Sequence, residues 1–279
     1  MTSTTSAALS SDEVSSTSHW CNLFPSRREL IAVMLNGART GGAHAVHIEY
    51  QDQPGVIRFI DDGSLAIGPK ALAAVRTAIQ SQPLAFDELC ADILRIVASL
   101  AAGGQVKVST SAHSVSLRSD PAFSIAISNP RGTAAEGVRF VFELLPHLHC
   151  DERTLRSELE EMVRGFPIPV TLNGDAIPRP FAISVRSYAA FAHGHYLRDE
   201  VTLRNKHHIF LNGIEIEHAD GHPTFIPDGF AVHLHPEIFC PVMPAMNELL
   251  GGELTLAFLR HELQRVTGTL EPAEAWWQP

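Results

Sequence analysis

The spacing of apolar residues in the first two-thirds of the chain predicts helices and strands in alternation. Ser26 followed by the acidic Glu29 predicts a helix N-terminus, and that helix runs to about Gly37. Two alternating runs, 45–50 and 56–60, flank a turn sequence and predict a β-hairpin. Further helices are predicted to begin at Pro69, to carry apolar residues over 86–100, and to cover 153–164. Further strands are predicted over 106–110, 114–118, 123–128, 138–144 and 166–172.

A second set of elements occupies the last third of the chain. Strands are predicted over 181–185, 208–216 and 230–235, and a helix over about 247–266. We therefore expect an α+β fold. A two-layer α/β sandwich, with helices on one face of a mixed, mostly antiparallel sheet, precedes a smaller α+β unit. The expected limits are 1–19 for a disordered Ser/Thr-rich tail, 20–180 for the sandwich and 181–279 for the C-terminal unit.

Composition narrows the class of protein. Of the 279 residues, 45% are hydrophobic and 19% are charged, which is enough apolar material for a sizeable core. The net charge is −10 without a basic cluster, and this disfavours nucleic acid as a partner. No apolar stretch approaches the roughly 20 residues of a membrane-spanning helix, so no membrane partner is expected. Four widely separated cysteines indicate reduced, mostly buried thiols, and together with a tail that matches no secretory signal they predict a cytoplasmic location.

One set of motifs in the first unit resembles a known family. The first helix opens with Arg28-Glu29-Leu30-Ile31, and the hairpin after it ends in Phe59-Ile60-Asp61-Asp62-Gly63. This order of helix, hairpin and D-x-G motif resembles the start of the GHKL ATPases, which include gyrases, heat-shock chaperones, histidine kinases and mismatch-repair ATPases. The resemblance covers the first two-thirds of the chain and implies that the sandwich has the Bergerat fold of that family.

The resemblance implies an adenine nucleotide as ligand. In the family, the D-x-G aspartate accepts a hydrogen bond from the adenine amine, and the glycine lets the backbone approach the base. Asp61 and Gly63 match these positions, which implies ATP or ADP, with Mg²⁺, as cofactors. Thr133 matches a family threonine that bonds near adenine, although Val138 competes for that alignment. Without the preceding helix, Asp-Asp-Gly at the end of a hairpin is ordinarily a turn.

The first helix aligns with the family in two ways. In the chaperone alignment, Glu29 matches the catalytic, water-activating base, but Val33 stands where the magnesium-binding Asn belongs. In the kinase alignment, Asn36 supplies the magnesium ligand and Arg39 a phosphate-facing cation, without a carboxylate one turn earlier. Because Mg²⁺ needs an oxygen ligand and hydrolysis needs a positioned base, both alignments predict weakened or lost ATP hydrolysis. The residues also fit an interpretation without nucleotide, in which Glu29 favours the helix N-terminus and Asn36 caps the C-terminus.

Segment 64–105 departs most from the family pattern. Leu65 replaces a second glycine, and the helix entry over 83–87 lacks glycine and contains Asp87, which would repel phosphate. We therefore expect a divergent, heat-shock-chaperone-like nucleotide-binding protein that acts as a binding, regulatory or chaperone-like module. Its partner would be a small-molecule ligand or a protein client.

The fifteen histidines are a second set of candidate functional residues. Three H-x-H pairs occur, and on a strand the two side chains of such a pair point to one face. The pairs are His147/His149, His193/His195 and His233/His235. The second and third pairs are candidate ligands for zinc or another transition metal, although such histidines are more often hydrogen-bonded core residues. The alternative function is an enzyme that reuses the nucleotide pocket or this histidine-rich unit for chemistry without ATP.

Overall fold

The computed structural model has an α+β fold, and the chain divides into two compact units. The first comprises Met1–Leu159 with Ile168–Ile177, and the second comprises Glu160–Pro167 with Pro178–Pro279. The structure describes residues 26–80, 89–118, 124–128, 137–204, 206–216, 229–241, 249 and 252–268. The tail 1–19, the helix entry over 83–87 and Thr133 lie outside these ranges, so the statements about them stay predictions.

An eight-stranded mixed sheet organises the first unit. Its strands are β1 Val46–Gln51, β2 Val56–Asp61, β3 Gln105–Ser109, β4 Ser114–Arg118, β5 Ser124–Ser128, β6 Val138–Glu143, β7 Val170–Leu172 and β8 Asp175–Ala176. They lie in the order β5-β4-β3-β6-β2-β1-β7-β8, and every neighbouring pair is antiparallel except the parallel pair β1 and β7. The expected mixed, mostly antiparallel sheet is therefore confirmed.

Within the described ranges, the α-helices up to residue 162 are α1 Arg27–Thr40, α2 Pro69–Gln80, α3 Ala91–Gly103 and α4 Glu152–Met162. A capping box starts α1, because the Ser26 hydroxyl accepts the Glu29 N–H while the Glu29 carboxylate accepts the Ser26 N–H. The N-terminal signal in the sequence is thereby confirmed. The helix continues past Gly37 to a C-cap at Gly41. Arg27 ties α1 to α4 through Glu158, with 2.5 Å between Nη2 and Oε1.

One face of the sheet is buried. Every second residue of β2 points to this face, namely Ile57, Phe59 and Asp61. Helix α3 contacts β3 and β6 and packs against α1. All of its residues from 93 to 102 are buried, so α3 is enclosed on every side. The alternation of β2 therefore carries a carboxylate, Asp61, into the interior.

Two elements of the first unit are shorter than the sequence predicts. Helix α3 begins at Ala91, so Leu89 precedes the helix; Asp92 in its first turn suits the positive end of the helix dipole. The strand expected over 166–172 is reduced to β7, because Pro167 and Pro169 have no N–H to donate to a sheet.

A five-stranded mixed sheet organises the second unit, in the order β12-β11-β13-β10-β9. Its strands are β9 Ala189–Phe191, β10 Gly194–Arg198, β11 His208–Leu211, β12 Ile214–Glu215 and β13 Phe230–Leu234. Strands β11 and β13 are parallel, and the other pairs are antiparallel. Helix α5, Gly252–Thr267, follows, with Leu256, Leu259 and Leu263 in the hydrophobic core.

Two strand predictions for the second unit are wrong. The strand expected over 208–216 is a hairpin, because Asn212 and Gly213 take positive φ values of 58° and 82° and turn the chain between β11 and β12. The strand expected over 181–185 is a local turn, in which the Ala182 carbonyl accepts N–H groups from Val185 and Arg186 at 2.9 and 3.2 Å.

No helix within the described ranges is long and apolar enough to cross a bilayer. Cys90, Cys150 and Cys240 are free thiols, as expected. The expectation that the thiols are mostly buried is wrong for these three, since Cys90 and Cys240 are exposed. Both lie at element ends rather than on an inward face: Cys90 precedes α3, and Cys240 lies beyond β13.

Candidate functional site

Asp61 is the central residue of the predicted site, and it ends β2 inside the first unit. The residue is 1% exposed, and its side chain has no exposed surface. Asp61 is paired with Val138 on β6, and the adjacent pair on the buried face is Phe59 with Phe140. An ionised carboxylate in such apolar surroundings is strongly disfavoured unless a partner neutralises it.

The partner of Asp61 is Arg95 of α3, whose side chain also has no exposed surface. Nη2 of Arg95 donates to Oδ2 of Asp61. The guanidinium carbon lies 4.7 Å from the ring centre of Phe140 and 5.7 Å from that of Phe59, so the flat cation rests on aromatic rings. Burial lowers the pKa of Arg95, and the charge of Asp61 opposes that fall. The sequence did not indicate Arg95 as a site residue, because it lies within a helix whose other residues are mostly apolar.

The Arg95 guanidinium is only partly satisfied by hydrogen bonds. Its Nε and Nη1 atoms are buried and have no hydrogen-bond partner within the part of the chain that the structure describes. A buried donor left unpaired costs about 1–3 kcal/mol, and more when it is charged. Arg95 is therefore held by one carboxylate, two rings and the shape of its surroundings.

Gly37 makes room for Arg95. It is buried within α1, and a Cβ atom at this position would lie 2.0 Å from Cδ and 2.4 Å from Cγ of Arg95. Glycine inside a helix is less stable than alanine by about 1 kcal/mol. The placement of the Arg95 side chain thus requires a residue that is unfavourable for α1 itself.

The loop after β2 uses its two acidic residues differently. The Gly63 N–H donates to Oδ1 of Asp61 at 3.0 Å, and a Cβ at Gly63 would lie 2.9 Å from the same oxygen. Asp62 is exposed and accepts backbone N–H groups of Ala45 and His44 at 2.9 and 2.6 Å, which lowers its pKa. Asp62 therefore fixes the loop, while Asp61 and Gly63 form the interior part of the D-x-G motif.

Glu29 lies at the first turn of α1 and takes part in the capping box. Its Oε2 is 3.0 Å from both the backbone nitrogen and the hydroxyl of Ser26. This is the helix-terminus role that the sequence also allows. One turn further on, Val33 is buried and offers no oxygen to a metal ion. The role of Glu29 as a water-activating base stays a prediction.

Asn36 and Arg39 are neighbours near the C-terminal end of α1. Oδ1 of Asn36 accepts a hydrogen bond from Nη2 of Arg39 at 3.3 Å. Burial lowers the pKa of Arg39. The interpretation of Asn36 as the C-terminal cap is wrong, because α1 continues to Thr40 and its C-cap is Gly41. The predicted contacts of Asn36 and Arg39 with magnesium and phosphate stay predictions.

The histidine pairs of the second unit meet on two paired strands. His195 lies directly opposite His233 in the pair β10 and β13, and the His235 N–H donates to the His193 carbonyl at 3.0 Å. Nε2 of His233 is 2.8 Å from the Phe181 carbonyl, and burial lowers the pKa of His233 to about 4. His233 is therefore a neutral core residue that donates one hydrogen bond.

Among the described residues, the side chains near His233 do not form a metal centre. The His193 ring contacts Phe258 and Phe239, with centroids 4.8 and 6.3 Å away, whereas the His233 ring stacks on Phe210. The Nδ1 atoms of His193 and His235 are buried without a hydrogen-bond partner among the described residues. Within the described ranges, no three His, Cys, Asp or Glu side chains meet in a metal-binding group. Zinc therefore stays a prediction.

A histidine and carboxylate pair that the sequence analysis missed lies in the hairpin of β11 and β12. Nδ1 of His208 is 2.5 Å from Oε1 of Glu215, and Arg164 approaches the other oxygen of Glu215 at 3.3 Å. Burial alone would raise the pKa of Glu215, but the bonds to His208 and Arg164 outweigh it and the pKa is lowered. Asn212-Gly213 between two apolar runs is the signal that would have placed these residues opposite each other.

No model of a known protein family matches this chain, and no curated protein sequence matches it either.

Proposed function

We propose that the first unit is a divergent GHKL-type, heat-shock-chaperone-like module of Bergerat fold that binds an adenine-type ligand and has lost ATP hydrolysis. It acts as a binding or regulatory module for a small-molecule ligand or a protein client, in the cytoplasm. The observation that carries the proposal is the position of Asp61. A carboxylate at the end of the second hairpin strand lies buried beside the enclosed helix α3, with Gly63 against its other oxygen.

Selectivity for adenine follows from the chemistry of a buried carboxylate. Such a group accepts hydrogen bonds only, so it favours a base with an exocyclic amine and penalises a base with a carbonyl at the same place. The aromatic faces of Phe140 and Phe59 beside Asp61 suit a flat ring.

The loss of hydrolysis follows from the first helix. Hydrolysis needs a carboxylate free to accept a proton from water and an oxygen ligand for Mg²⁺. Glu29 is engaged by the backbone and hydroxyl of Ser26, and Val33 has no oxygen to offer. ATP or ADP, with or without Mg²⁺, is therefore a ligand in this proposal rather than a substrate.

Two measurements on the purified full-length protein test the proposal. Isothermal titration with ATP and ADP, with and without Mg²⁺, should give weak binding that Asp61→Asn abolishes, while GTP shows none. Phosphate release from ATP should not exceed the rate without protein. Binding that Asp61→Asn leaves unchanged would contradict the adenine site, and phosphate release that Glu29→Gln removes would contradict the loss of hydrolysis.

A second candidate function is proton transfer in the second unit, and the observation that favours it is the Glu215–His208 pair. A carboxylate on Nδ1 fixes the tautomer of the imidazole and leaves Nε2 as the base. Hydrolysis of an activated ester should then fall in His208→Gln and Glu215→Gln but persist in a variant at the exposed His261. Equal rates in all variants would exclude this function for His208.

A further inference from the structure

We infer that Arg95 is a built-in occupant of the pocket around Asp61, and that any ligand this carboxylate recognises must first displace the Arg95 side chain. The inference rests on the proposed function in one respect, which is the assignment of Asp61 as the ligand-binding carboxylate. It adds that the pocket is closed by a residue of the chain itself. The ligand is a flat group with N–H donors, such as an aminopurine, an amidine or a guanidine.

The contacts of the Arg95 side chain support this ligand class. The Arg95 guanidinium is a flat group that donates N–H to Asp61 and rests on Phe140 and Phe59. An adenine edge with its amine presents the same combination of a flat surface and an N–H donor. The absence of a side chain at Gly37 leaves the space that the aliphatic part of Arg95 fills. A ligand that takes the place of the guanidinium therefore meets surroundings already suited to it.

The Arg95 side chain is incompletely hydrogen-bonded in the occupied state. Nε and Nη1 of Arg95 are buried without partners in the described part of the chain. A charged group with two unpaired donors gains hydrogen bonds when it leaves the interior, from water or from an anionic group of the ligand. Displacement of Arg95 therefore loses the ion pair with Asp61, and the new hydrogen bonds of the guanidinium, together with the ligand's bond to Asp61, offset part of that loss.

Chemical rescue tests the occupancy without any nucleotide. Arg95→Ala removes the atoms of an ethylguanidinium ion and leaves the carboxylate of Asp61 buried beside the vacated space. Ethylguanidinium at millimolar concentration should raise the urea midpoint of Arg95→Ala in a saturable way. It should give no such shift in Arg153→Ala, a matched loss of an exposed arginine on α4, or in the wild type.

Nucleotide titration then tests whether an open pocket binds adenine. Adenosine and ATP should bind Arg95→Ala more tightly than the wild type by roughly tenfold or more, because the competing side chain is gone. Gly37→Ala gives a related test with Arg95 and Asp61 both present, since the added methyl group would lie 2.0 Å from Cδ of Arg95 and competes with the side chain for its space. This second variant serves if Arg95→Ala does not fold.

The outcomes separate the inference from the proposed function. Rescue by ethylguanidinium together with a gain in adenosine affinity supports both. Rescue without adenosine binding supports Arg95 as the occupant and contradicts the adenine site. Equal midpoint shifts in Arg95→Ala and Arg153→Ala overturn the inference, and so does adenosine affinity that neither Arg95→Ala nor Gly37→Ala raises while Asp61→Asn still abolishes it.

Discussion

Gly37→Ala is expected to destabilise the first unit, although alanine is the better helix former. In the middle of an exposed helix, replacement of glycine by alanine stabilises by about 1 kcal/mol. At Gly37 the added Cβ would lie 2.0 Å from Cδ of Arg95, a distance that no relaxed side chain tolerates. Because Arg95 has no exposed surface, it must either strain its surroundings or leave the interior.

The two routes set the size of the effect. Accommodation within the packed core costs typically 1–3 kcal/mol, and breaking the buried pair with Asp61 costs about 3–5 kcal/mol. After the gain in helix propensity of about 1 kcal/mol is subtracted, the free energy of unfolding should fall by roughly 0–2 kcal/mol if Arg95 is accommodated and by roughly 2–4 kcal/mol if the pair with Asp61 breaks. In the Arg95→Ala background the obstacle is gone, and Gly37→Ala should then stabilise by about 1 kcal/mol.

Urea unfolding followed by circular dichroism measures these changes, with all four combinations of the two substitutions analysed as a double-mutant cycle. Ala73→Gly, at an exposed position of α2, calibrates the helix-propensity contribution in this protein. The decisive result is that Gly37→Ala lowers the free energy of unfolding in the wild type and raises it in Arg95→Ala. If Gly37→Ala stabilises the wild type as much as it stabilises Arg95→Ala, Arg95 does not fill the space beside α1.

Three further predictions follow from the same structure. Asp61→Asn should lower the free energy of unfolding, measured in urea, by about 3–5 kcal/mol, because it leaves Arg95 buried without its partner. Asp61→Leu combined with Arg95→Met should recover most of that loss, because an apolar pair replaces a buried ion pair. If the double variant recovers nothing, the pairing of Asp61 with Arg95 is contradicted. Ser26→Ala should cost about 1 kcal/mol by the same assay, whereas Glu29→Gln should cost much less because glutamine also completes a capping box. Equal losses would show that the charge of Glu29 contributes as much as the Ser26 cap. The pKa of His233 is about 4 in the folded protein against 6.5 ordinarily, so the unfolded chain binds the extra proton first. Stability of the second unit should therefore decline as pH falls from 6.5 towards 4, by up to about 3 kcal/mol, and His233→Gln should remove that part of the pH dependence. An unchanged pH profile in His233→Gln would assign the effect to other groups.

Local signals in the sequence predicted the elements around the site. The capping box at Ser26, the hairpin before Asp61 and the helix start at Pro69 depend on residues close together in the chain, and all three are confirmed. The strand predictions failed where a turn signal was overlooked or where prolines interrupted an apolar run. Asn212-Gly213 turned one expected strand into a hairpin, and prolines shortened the strand before Val170.

In the candidate site, the sequence pattern indicates the position of Asp61 but does not indicate its partner. Alternation along β2 indicates that Asp61 shares a face with Ile57 and Phe59, which is a property of the strand alone. The partner of Asp61 is thirty-four residues further along the chain, on a helix whose pattern is apolar. A single arginine in such a helix is ordinarily expected at an exposed position, so the apolar periodicity does not reveal a buried ion pair.

The amino-acid sequence by itself determined most of the helices and strands of the first unit, and alternation along β2 carries a carboxylate inward, because capping, turn formation and alternation act over a few neighbouring residues. Only the tertiary structure decided that Arg95 neutralises Asp61, that Gly37 admits it, and that Glu215 holds His208. Those contacts depend on how separate elements approach one another, and a buried charge selects its partner by distance in space.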